Sequence, residues 1–105
     1  MNMKMNYQWL AYMNNLPKDI LHKIKVDFAN QEMKAINLFS QFLKPGKYLE
    51  QERIIRCIIY LAKTDFNEWN YYVECAKTDP RDIMLWAEYD TNDKRIRNFN
   101  QPFDN

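Results

Sequence analysis

The side chains best suited to nucleophilic or metal chemistry are one histidine, His22, two cysteines, Cys57 and Cys75, and one serine, Ser40. A catalytic nucleophile needs a base within hydrogen-bond reach. Cys57 instead stands among isoleucines, and Ser40 lies inside a helical stretch rather than at a sharp turn. At helical spacing His22 sides with Lys18 and Lys25, opposite Ile20, Ile24 and Phe28, which makes it a solvated surface residue. Structural zinc takes four Cys or His ligands, more than these residues supply, so no metal and no cofactor is expected. Both cysteines lie within helical patterns rather than in a loop-rich disulfide scaffold, and reduced thiols are expected.

Carboxylates are the remaining catalytic option. Asp79, Asp82, Glu88, Asp90 and Asp93 cluster late in the chain beside Arg81, and paired acids can do acid–base work or hold a hard cation. However, Asp79 and Asp82 fall at a helix start, where negative charge complements the dipole and caps free N–H groups. Glu88 and Asp90 lie about 200° apart on a helix and do not pair unless the chain folds back. The reading is therefore non-enzymatic, with a small enzyme or metal-binding protein built on these acids as a third choice.

Lys94, Arg95 and Arg97, followed by Phe99, combine cations with an aromatic ring in the manner of single-strand nucleic-acid binders. Three cations with Asp93 and Asp104 close by are few for duplex binding, which uses many phosphate contacts. A nucleic-acid-binding regulator is the alternative function. The aromatic surplus carries the preferred one. On the helix starting at Asp65, the face Phe66, Trp69, Val73 and Ala76 leaves Tyr71 and Cys75 near the other side. On the last helix, Ile83, Trp86 and Ala87 face one way while Leu85 and Tyr89 face the other. Helices apolar on both sides need two covers: here either a returning tail bearing Ile96, Phe99 and Phe103, or another protein chain. Tyr71, Leu85, Tyr89, Phe99 and Phe103 are thus the interface candidates. The expected partner is another protein or a second copy of this chain. An immunity- or antitoxin-type neutralising protein is one such module.

These residues must be positioned by a chain of 105 residues, enough for one domain but not two cores. Net charge is +1, which argues against a general polyanion binder. One glycine excludes Gly-rich phosphate loops, and 15% aromatic residues exclude a disordered chain. No apolar run reaches secretory or membrane-spanning length, so a cytosolic protein without a membrane partner is expected.

Periodicity then predicts an all-α irregular bundle of five or six helices over residues 1–90, closed by an irregular, extended C-terminal tail over 91–105. Asn6 caps a helix over 7–14 that groups Trp9, Leu10 and Met13. Pro17 opens the next, whose stripe Ile20, Leu21, Ile24 and Phe28 continues as Ala29, Met33, Ile36, Phe39, Ser40 and Leu43 up to Lys44-Pro45-Gly46. The stripe changes phase near Asn30. With no Gly or Pro in between, one long helix is favoured over two. Residues 49–63 form the central helix, apolar over most of its circumference, with Glu52, Arg53, Arg56, Tyr60 and Lys63 as a narrow polar side. Asp65 with Glu68, and Asp79 with Pro80 and Asp82, start the last two helices. The repeat of Ala62-Lys63-Thr64-Asp65 as Ala76-Lys77-Thr78-Asp79 predicts two tight corners.

Overall fold

A computed structural model of the protein describes residues 16–40 and 48–103. Within them the protein is all-α. The helices are α1 (Lys18–Phe28), α2 (Glu32–Ser40), α3 (Tyr48–Ala62), α4 (Phe66–Thr78) and α5 (Pro80–Glu88), with a 3₁₀ turn at Ala29–Gln31. Among the described residues there is no strand, only an isolated antiparallel bridge between Tyr89 and Arg95. The helix expected over 7–14 and the stop at Lys44-Pro45-Gly46 lie outside the described residues.

The long helix expected from Pro17 to Lys44 is interrupted at the phase change. The N–H of Ala29 still closes α1 on the carbonyl of Lys25, but its own backbone sits at φ 43°, ψ −111° and the 3₁₀ turn follows. α1 buries Ile20, Ile24 and Phe28, whereas α2 buries Ala35 and Ile36. The turn ends one helix and starts another between the two sets, and both sets reach the same core. Ala29 and Met33, expected on the buried stripe, are exposed.

The central position of α3 is as expected: it packs against α1, α4 and α5, while α4 also packs on α2 and α5. Ile55, Ile58, Trp69 and Ile83 are fully buried at this junction. Phe28 meets Trp69 at 5.1 Å and Phe66 edge-on at 6.0 Å, joining α1 to α4. The buried indole N–H of Trp69 donates to the carbonyl of Ala35 at 3.2 Å, so the ring enters the core with its polar atom satisfied.

The repeated tetrapeptide makes two different corners. At the first, Lys63 and Thr64 both take positive φ, 50° and 67°, and Asp65 caps α4 by accepting from the N–H groups of Asn67 and Glu68. At the second, the helix continues through Thr78, and Asp79 alone ends α4 and caps α5. Pro80 explains the difference, because it drives the preceding residue out of the helical region, and Asp79 sits at φ −153°, ψ 102°.

Candidate functional site

Two polar clusters and one aromatic row stand out from this scaffold. The first cluster is centred on Glu88, fully buried at the end of α5. Arg53 of α3 donates through Nε to both carboxylate oxygens, at 3.1 and 3.2 Å, and through Nη2 to Oε1. Arg95 adds an Nη2 contact at 3.3 Å, and the backbone N–H of Phe99 donates to Oε2 at 2.8 Å. Burial pushes the Glu88 carboxyl upward, but the Arg53 hydrogen bonds, the Phe99 N–H, the Arg53 charge and the Arg95 hydrogen bond outweigh it and hold the group below its ordinary value.

Asp19 of α1 repeats the arrangement. Arg56 donates to its two oxygens at 2.9 and 3.1 Å, and the Phe103 N–H donates to Oδ2 at 3.0 Å. Arg56 also donates to the carbonyl of Phe99 at 3.2 Å. Burial again raises the carboxyl, and the hydrogen bonds from Arg56 and Phe103, with the Arg56 charge, bring it below the usual range. Each carboxylate thus accepts from one arginine of α3 and one N–H of the C-terminal segment.

Arg53, Arg56 and Tyr60 form one row along α3, the side expected to face solvent. Arg56 is buried instead and Tyr60 is half-buried, with Phe99 at 5.4 Å from its ring and the Arg97 guanidinium at 4.5 Å. Polar side chains on an apolar helix read as a solvated face by default. This row is covered because its donors are matched by acceptors on α1, α5 and the C-terminal segment.

The sequence candidates separate accordingly. Phe99 is buried, Phe103 is half-buried against it at 5.9 Å, and Tyr89 is half-buried. Tyr71 and Leu85 are exposed, at 57% and 47%. Trp86, assigned to the core face with Ile83 and Ala87, is 46% exposed. The buried face of α5 is Ile83, Ala87 and Glu88, because the paired carboxylate takes the inward position that an unpaired one would not tolerate. Trp86 then meets Tyr72 edge-on at 6.3 Å, and Tyr72 meets Tyr71 at 5.1 Å. The result is an aromatic row across α4 and α5. Periodicity missed it by placing Trp86 inside.

Of the basic candidates, Arg95 is held by Glu88, the Asn98 side chain and the Arg97 carbonyl, and Arg97 by Tyr60 and the Ala87 carbonyl. Lys94 is exposed. Asp79 caps α5 and pairs with Arg81, and Asp90 accepts from the N–H groups of Asn92 and Lys94 in a tight turn. His22 is exposed on α1. Both cysteines are free thiols, and burial, followed by the Glu88 charge, pushes Cys57 up to about 12. Among the described residues no three His, Cys, Asp or Glu side chains converge as a metal site, and no helix is long and apolar enough to cross a membrane.

Comparison with known proteins finds no matching family model, no matching curated protein and no matching solved structure.

Proposed function

We propose that this chain is a small non-enzymatic interaction module that binds another protein through the row Tyr71, Tyr72 and Trp86, with Leu85 adjoining it. The observation that carries the reading is the exposure of Tyr71 and Trp86 on either side of half-buried Tyr72, which meets both edge-to-face. Trp and Tyr are the residues most enriched at interface hot spots, because a rigid ring buries much area with little entropy lost. A cytosolic neutralising protein of the immunity or antitoxin type is the finer form of the proposal, and it rests on small size and aromatic content. The nucleic-acid alternative is less well supported, since Arg95 and Arg97 are engaged within the chain.

The test is quantitative capture from the native cell with wild-type protein and with a Tyr71→Ser, Trp86→Ser variant. Both positions are exposed, so the variant should melt close to wild type. Loss of a specific subset of captured proteins by a well-folded variant is the expected result. Retention of every captured protein overturns this surface as the docking site.

A further inference from the structure

The C-terminal segment is attached to the helical body near both of its ends. Its inner end is fixed where the N–H groups of Ile96 and Arg97 donate to the carbonyl of Glu88 and the Phe99 N–H donates to the Glu88 carboxylate. Its outer end is fixed where the Phe103 N–H donates to Asp19. Arg56 links the two by donating to both Asp19 and the Phe99 carbonyl. Apolar anchorage comes from two rings, Phe99 on Tyr60 and Phe103 on Phe99, with Lys23 5.9 Å above the Phe103 ring. Ile96, Asn98 and Asn100 are exposed. The turn that precedes the segment closes on itself through Asp90, which accepts from Asn92 and Lys94, with Asp93 at φ 59°. These bonds lie within residues 90–94, and the Tyr89–Arg95 bridge joins the turn to the segment.

We propose that residues 95–103 are a strap that opens as one unit, independently of the helical body, and uncovers Tyr60 and Arg56 on α3. A region held by two rings, by backbone and carboxylate hydrogen bonds and by the partly exposed Arg95 and Arg97 contacts opens at lower free energy than a core in which Ile55, Ile58, Trp69 and Ile83 are fully buried. The shared arginine is what makes the opening concerted. Releasing Phe99 removes an acceptor of Arg56 and the ring beneath Phe103, and releasing Phe103 removes a donor to the carboxylate that holds Arg56. Among α3, α4 and α5 the Arg53–Glu88 pair shares its carboxylate with Phe99 and Arg95 of the strap but keeps its Arg53 bonds when the strap leaves. The packing of Ile55, Ile58, Trp69 and Ile83 involves none of these atoms.

Native-state hydrogen exchange on the full chain tests this, with the amides of Ile96, Phe99 and Phe103 reporting on the strap and those of Ile58 and Trp69 on the body. Ile58→Val weakens the folded and strap-open states alike, so body amides that exchange by global unfolding should speed up about fivefold while strap amides keep their rates. Phe103→Ala should speed Ile96, Phe99 and Phe103 together by a common factor. If Ile58→Val speeds the strap as much as the body, the strap opens only on global unfolding and the proposal fails. It fails equally if Phe103→Ala speeds Phe103 alone, since that is fraying of an end.

Discussion

Replacing Glu88 by Gln keeps the shape of the side chain and removes its charge, which isolates what the carboxylate does. One carboxylate oxygen accepts from Arg53 alone, and the other accepts from Phe99, Arg95 and the Arg53 Nε. An amide supplies one acceptor and one donor. Whichever way it turns, an N–H of the amide confronts a donor, and at least one formerly paired group loses its acceptor. Breaking a buried pair by removing one partner costs about 3–5 kcal/mol. Here the side chains of Arg53 and Arg95 retain 22% and 37% exposure and can rehydrate in part, so about 2–4 kcal/mol is expected. That is a large share of the roughly 5–15 kcal/mol that holds a domain together. Chemical denaturation followed by circular dichroism at neutral pH measures it. Arg53→Met removes the principal donor, so the double variant should lose clearly less than the sum of the two single losses. A Glu88→Gln loss within about 0.5 kcal/mol of wild type, or strict additivity with Arg53→Met, would refute the paired-carboxylate account.

Acid should act on the same groups. Glu88 and Asp19 titrate below their ordinary values in the folded protein, so their stabilisation is complete above about pH 5 and is lost as pH falls through the usual carboxylate range towards their folded values. Denaturant midpoints measured from pH 7 down to 3 should fall, and the Asp19→Asn, Glu88→Gln double variant should show a flatter profile. The thiols should differ in reactivity. With Cys57 buried and raised to about 12, iodoacetamide at mildly alkaline pH should label half-buried Cys75 and reach Cys57 only after denaturation, whereas equal labelling rates would contradict the packing around α3. At the first corner Thr64 is a β-branched residue at φ 67°, so Thr64→Gly should raise stability by about 0.5–1 kcal/mol after the entropy of glycine is subtracted. A lower denaturant midpoint in that variant would show that the threonine side chain contributes more than its strain costs.

What could be read from the sequence was whatever depends on neighbours within one turn. The face Trp69, Val73 and Ala76, the cap at Asp65 and the Asp79-Pro80 start are all local arrangements, and each is found in place. What escaped depends on partners far along the chain. Arg53 meets Glu88 across 35 positions, Arg56 meets Asp19 across 37, and Phe103 meets Asp19 across 84. Without those partners Glu88 is one acid among several at a helix end, and the arginines are a solvent face. The error at Trp86 follows from the same cause: once Glu88 takes the inward position, the helix turns and carries Trp86 outward. The break at Ala29 had a visible trace in the changed phase of the apolar stripe, but no Gly or Pro marked it.

The position of these arginines also bears on the proposed docking surface. Arg53, Arg56, Arg95 and Arg97 each bond to groups of their own chain, so a phosphate would have to compete with carboxylates and carbonyls already in hydrogen-bond contact. Added salt weakens exposed charge pairs but screens a buried carboxylate such as Glu88 much less. The basic residues therefore serve first to fix the C-terminal segment on α3, and in doing so they turn Phe99 and Phe103 inward. Five candidate interface residues become two exposed ones, Tyr71 and Leu85, on adjacent helices. Trp86 joins them because the same buried carboxylate turned it out. One set of polar contacts thus draws Phe99 and Phe103 inward and turns Trp86 outward, so that under the proposed function the docking surface lies on α4 and α5.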